Sequence, residues 1–151
     1  MIKLTERTDI SGNVKALNRY QQFGRLVRAI DETKLTPDTI DLIDHEIEAL
    51  NVVPSAAMHF SRAIKTRETQ VIRILEKRHK IVPRNYYRKL WMLLGMSAFG
   101  TPVGVTLGSS TGNMGFFGLG IGIGMAVGMA LGTKMDKKAF EEGRQLDFEV
   151  K

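Results

Sequence analysis

Asp41, His45 and Glu48 are the side chains best spaced for metal chemistry, because steps of three and four residues stack them on one helix face. A carboxylate–imidazole trio of that kind can hold a divalent cation. Yet the His-Glu-x-x-His spacing that would bring in a second imidazole is missing, and His59 stands far off in sequence. With Asp44 and Glu46 beside them, these residues read as a solvated helix face, and no metal is expected. His79 lies among Lys77, Arg78 and Lys80 and reads as part of a basic collar. The glycines between 118 and 132 superficially match a phosphate loop. However, no Gly-Lys-Ser/Thr follows, and a phosphate site has no place inside an uncharged run. No nucleophile can be set beside a base, so no catalytic residue, no cofactor and no enzymatic activity are expected. The chain has no cysteine, which removes disulfides and thiolate metal sites and leaves the redox compartment unread.

The elements that would position any site are set by charge. Residues 1–89 carry 17 Lys/Arg against 11 Asp/Glu, residues 134–151 carry five of each sign, and Leu90 to Thr133 contains no Lys, Arg, Asp, Glu or His. The net charge of +6 therefore lies wholly before the apolar block. The N-terminus is charged and has no apolar core, so no secretory signal peptide is read there. Ser109-Ser110-Thr111-Gly112-Asn113 divides the block as a tight loop would. The two parts, 90–107 and 114–133, would span roughly 27 and 30 Å as helices, close to the thickness of a bilayer core. A short connection makes them antiparallel, giving a juxtamembrane segment and transmembrane hairpin over 83–133.

Lys77, Arg78, Lys80, Arg84, Arg88 and Lys89 precede the first span, and Lys134, Lys137 and Lys138 follow the second. The positive-inside rule then predicts a multi-pass protein of the cell inner (cytoplasmic) membrane with both termini in the cytoplasm. Tyr86, Tyr87 and Trp91 fall where an aromatic belt would sit, and Pro102 is expected to kink the first span.

The second span reads in rows of four. Gly120, Gly124, Gly128 and Gly132 form one, while Gly118, Gly122, Ala126 and Ala130 form another about 200° away on a helix. Small residues let helices approach closely in lipid, where little else drives packing. One row can receive the first span and the other a second subunit, so a homo-oligomer is expected. Strict alternation of large and small residues from Phe117 to Gly132 also has the period of a strand. A membrane barrel would need polar residues where this chain has Gly and Ala, so helix is preferred. A buried hairpin in a soluble protein fails because about 80 N-terminal residues are too few to wrap two such helices.

Residues 1–82 read as a three-helix cytoplasmic domain, making the fold class all-α. Val14, Leu17, Tyr20, Phe23, Val27 and Ile30 mark a helix over 13–31 capped by Asn13 or Ser11. Thr36-Pro37 starts a second, with Ile40, Ile43, Ile47 and Leu50 on its inner face. A third runs from about Ser55 to His79, burying Phe60, Ile64, Val71, Ile72 and Leu75, and Pro83 ends or kinks it. Residues 31–50 hold seven acids and one Lys, whereas 62–89 hold ten Lys/Arg and two acids. Either the acidic and basic helices pair, or the basic one meets anionic lipid headgroups; Arg62 to Arg73 could pair while Lys77 to Lys89 meet lipid. Nucleic-acid binding ranks behind both, because no recognised motif accompanies the charge.

After the second span, Lys134 to Glu142 continues a helix that Gly143 stops, and Leu146, Phe148 and Val150 alternate as a strand or docking segment would. The glycine row followed by Gly132-Thr-Lys-Met-Asp-Lys-Lys-Ala-Phe-Glu-Glu-Gly-Arg-Gln-Leu resembles small bacterial glycine-zipper membrane proteins over about residues 114–147. The resemblance implies a bacterial membrane protein and assigns no activity. From the residues, the expected function is an oligomeric membrane scaffold or anchor that recruits a cytoplasmic protein partner. The alternative is a pore-forming or permeabilising effector, for which Ser97, Thr101 and Thr106 offer little polar lining.

Overall fold

Asn13 stops the chain from entering a helix too early: its side-chain oxygen accepts from Ala16 N at 3.1 Å, satisfying one of the first-turn donors. Helix α1, Val14–Asp31, follows from there. A computed structural model of the chain describes residues 3–5, 7, 10, 13–54 and 59–150. Ser11, the other expected cap, lies outside them. The chain divides into two compact units, Met1–Pro83 with Leu146–Val150, and Arg84–Gln145 with Lys151.

In the first unit, α2 is Pro37–Asn51 and α3 is Phe60–His79. Pro37 occupies the first turn of α2, where its missing N–H costs nothing. The expected start of α3 at Ser55 falls outside the described residues. Helix α3 packs against both α1 and α2. The core is Phe23, Leu26 and Ile30 from α1, Ile43, Ile47 and Leu50 from α2, and Phe60, Ile64, Val71 and Leu75 from α3, all fully buried. The expected inner face of α1 is displaced at its start: Val14 is 68% exposed, and Ala16 takes the buried position. The last carbonyls of α2, which no helical N–H reaches, are closed by Arg7. Its guanidinium donates to Asn51 O, the last carbonyl of the helix, and to Val53 O just beyond it, both at 2.6 Å, and lies 4.9 Å from the centre of the Phe60 ring.

Lys80 ends α3 in the left-handed region (φ 57°). The chain then forms strand β1, Val82–Arg84, which pairs with β2, Gln145–Glu149. Leu146 and Phe148 are buried, so the alternation in the tail is that of a strand with one inner face. The two-stranded sheet is the one departure from an otherwise all-helical chain among the described residues.

In the second unit, Tyr86–Thr111 and Met114–Glu141 are two helical stretches long and apolar enough to cross a membrane. The first consists of α4 (Tyr86–Leu94), a π turn over Gly95–Gly100, and α5 (Thr101–Thr111). The second opens with a 3-10 turn at Met114–Phe116 and continues as α6, Phe117–Glu141. The connection is tighter than expected. Ser109, Ser110 and Thr111 remain helical, with Ser110 and Thr111 hydroxyls donating to Leu107 O at 3.3 and 2.7 Å. Only Gly112 (φ 66°) and Asn113 make the reversal, and Asn113 Oδ1 accepts from Gly115 N at 2.8 Å. Pro102 lies in the first turn of α5, and the π turn precedes it, with Thr101 N donating to Met96 O five residues back. At the far end Gly143 (φ 65°) closes α6, its N–H donating to Phe140 O at 3.0 Å.

Candidate functional site

Two rows of glycine backbone meet along the hairpin. Gly120, Gly124, Gly128 and Gly132 of α6 are buried; Gly95, Gly100 and Gly104 lie against the first three of them, Gly132 lies against the backbone of Tyr87 and Arg88, and the buried Gly108 lies against Met114. A Cβ added at Gly100 would lie 2.9 Å from Ile121 Cα, and one at Gly104 would lie 2.6 Å from Phe117 O. One at Gly124 would lie 2.5 Å from Gly100 N, and one at Gly132 would lie 2.5 Å from Arg88 Cα. Gly128 faces the Trp91 carbonyl and Gly120 faces the Gly104 backbone just as closely. No side chain fits at these positions, so backbone lies against backbone along the hairpin.

The row on the first stretch is spaced 4 and 4 residues from Gly100 to Gly108 but 5 from Gly95 to Gly100. Five residues of regular α-helix would carry Gly100 about 140° round from Gly95, off the contact face, whereas four would carry it about 40°. The π turn takes up the extra residue and returns the glycines to one face.

The row on α6 continues one step past glycine. Asp136, four residues after Gly132, is buried, and its two carboxylate oxygens accept from Tyr87 N at 3.0 Å and Arg88 N at 2.9 Å. These are first-turn donors of α4, whose own cap residue Asn85 is left-handed (φ 58°) and makes no side-chain cap bond. A carboxylate from the neighbouring helix therefore supplies both the missing acceptors and a charge favourable to a helix N-terminus.

The second small row has a different environment. Gly118, Gly122, Ala126 and Ala130 are exposed, and a Cβ at Gly118 or Gly122 would meet nothing within 4 Å. Leu119, Ile123, Val127 and Leu131 are exposed beside it. Ser97, Thr101 and Thr106 turn their hydroxyls onto their own helix, at Leu93 O (3.1 Å), Met96 O (3.4 Å) and Pro102 O (2.9 Å).

Of the expected interface residues, Arg84, Arg88, Lys89, Lys134, Lys137 and Lys138 are exposed in the second unit. Lys137 and Lys138 each reach a carboxylate one turn on, Glu141 and Glu142, at 3.8 Å. Tyr86 and Tyr87 stack edge to face at 5.3 Å between centroids, and they and Trp91 are half-buried. Lys77, Arg78 and Lys80 belong to the first unit and are exposed. His79 is not simply part of that collar: its Nε2 lies 3.0 Å from the buried Thr39 hydroxyl, joining the end of α3 to the first turn of α2.

Asp41, His45 and Glu48 are exposed, and no group of three metal-ligating side chains is found among the described residues. No family model, curated protein or solved structure matches this chain.

Proposed function

We propose that the protein is a non-enzymatic integral membrane protein whose hairpins self-assemble into an oligomeric scaffold or anchor for a cytoplasmic partner. In this reading the hairpin crosses the cytoplasmic membrane with both termini inside. Arg84, Arg88, Lys89, Lys134, Lys137 and Lys138 meet anionic headgroups. The observation that carries it is the unequal use of the two small rows. The row from Gly120 to Gly132 is filled by the hairpin's own first stretch, while Gly118 and Gly122 have open space before them. A second hairpin laid along Gly118, Gly122, Ala126 and Ala130 would gain the close backbone approach that drives association in lipid.

The self-bonded hydroxyls of Ser97, Thr101 and Thr106 favour this reading over a pore, because they leave few groups to replace the hydration of an ion. The test is the mass of the full chain in nanodiscs, with crosslinking in native membranes. Gly118→Leu and Gly122→Leu are expected to yield monomer with an intact hairpin. A wild-type chain that is monomeric in both settings would overturn the scaffold, and sustained conductance in planar bilayers would replace it with the pore.

A further inference from the structure

The charge segregation between α2 and α3 leads to a surface that internal pairing leaves open. Of the cations on α3, Arg67 reaches the acidic helix, donating to Glu46 Oε2 at 2.8 Å. Arg62, Lys65, Arg73 and Lys77 are exposed and form no ion pair among the described residues. At 100° per residue Arg62, Thr66, Thr69, Arg73 and Lys77 form one line, with Lys65 flanking it; Lys80, engaged by a partner of its own, stands just beyond its end. The line is about 22 Å long from Arg62 to Lys77. Of the two acids on α3, Glu68 is buried on the opposite side, and the half-buried Glu76 alone shares the cationic face. Thr66 and Thr69 spend their hydroxyls on Arg62 O (3.0 Å) and Lys65 O (2.8 Å), so the face offers positive charge and little that could read a base.

We propose that this face of α3 is a docking surface for anionic phospholipid, laying the helix along the membrane surface. The inference rests on the hairpin being membrane-inserted. Lys80 stands six residues before Tyr86, so a fully extended chain holds the end of the stripe within about 20 Å of the first span. Tethering makes each encounter with the bilayer intramolecular, and at such a distance weak contacts suffice. A nucleic acid would have to be recruited from solution by the same few charges.

The chain has no cysteine, so single labels are easily placed. Full-length protein carrying Thr69→Cys with an environment-sensitive fluorophore is reconstituted into vesicles of phosphatidylcholine alone, or mixed with phosphatidylglycerol. Each contains a nitroxide lipid labelled at the headgroup. Quenching at position 69 is expected in the mixed vesicles only, and is lost in high salt. It is also lost in the triple variant Arg62→Glu, Lys65→Glu, Arg73→Glu, since removal of each cation weakens surface partitioning about five-fold and of three about a hundred-fold. Equal quenching in both vesicle types, or quenching indifferent to the triple variant, would overturn the proposal. So would a fluorescent oligonucleotide that binds wild-type but not the triple variant in neutral vesicles. A label at Ile123→Cys, read with an acyl-chain nitroxide, separates the two readings. Quenching at 123 without a lipid-dependent response at 69 removes the α3 surface alone, whereas no quenching at 123 removes the inserted hairpin and the surface with it.

Discussion

Helices α1 to α3 and helices α4 to α6 exclude their surroundings by opposite means. In the first set, large side chains fill the space between helices, with Phe23, Phe60, Leu26 and Ile64 among the fully buried groups. In the second set the space is removed, because the glycines of each stretch lie directly against the backbone of the other. With the second unit proposed to lie in the membrane, the difference suits two solvents. In water, burying apolar side chains supplies the driving force. In lipid that term nearly vanishes, and close contact between small residues replaces it. The cost of substitution should therefore run in opposite directions, with truncation damaging the first unit and enlargement the second.

The largest effect is expected from enlargement. Gly124→Leu cannot be absorbed by rotamer change, since the atoms in its way are backbone atoms of Gly95 and Gly100. We expect a loss above about 4 kcal/mol of hairpin stability, read by steric trapping in detergent. Phe60→Ala should cost about 3–5 kcal/mol in the first unit by urea denaturation, while leaving the hairpin signal unchanged. If Gly124→Leu proves milder than Phe60→Ala, the contrast between the two regions is wrong.

A smaller effect should follow from Asp136→Ala, which leaves two first-turn N–H groups of α4 without their acceptor. About 2 kcal/mol is expected, with faster hydrogen exchange at the Tyr87 and Arg88 amides. Unchanged exchange there would show that water or headgroups can stand in for the carboxylate.

The mildest effect belongs to Glu68, the one buried carboxyl side chain of the first unit among the described residues. Glu68 is buried between α1 and α3 and accepts from Gln22 Nε2 at 2.7 Å. Burial raises its pKa above the ordinary 4.5, outweighing the Gln22 hydrogen bond and the nearby Arg19 and Lys65 charges. The folded state then keeps the proton longer than the unfolded chain. The contribution of Glu68 to the stability of the first unit is full below pH 4.5 and is lost as pH rises from there through its folded pKa. The urea midpoint should follow that slope, and Glu68→Gln should flatten it.

Much of this arrangement is visible in the residues themselves. The charge-free block marks two long apolar helices, the periodicity of Ile43, Ile47 and Leu50 marks a packed face, and the alternation of Leu146 with Phe148 marks a strand. The partner row of glycines on the first stretch is not legible as a row, because the five-residue step from Gly95 to Gly100 breaks the four-residue period. The row is visible only when one step of five is admitted among the fours. Asp136 is hidden for another reason. Between lysines and beyond the apolar run it looks solvated, and only its four-residue offset from Gly132 hints that it lies on the contact face. His79 is similarly masked by its cationic neighbours, since nothing local to it points to Thr39, 40 residues earlier.

The widened turn at Gly95–Gly100 also says how length variation is tolerated here. Deleting any one of residues 96–99 would restore a uniform four-residue repeat and let ordinary α-helix keep the glycines of the first stretch on one face. Adding a residue elsewhere between Trp91 and Gly108 would have no comparable relief. The hairpin should thus accept a shortening at this one place more readily than a single methyl group at most of its glycines.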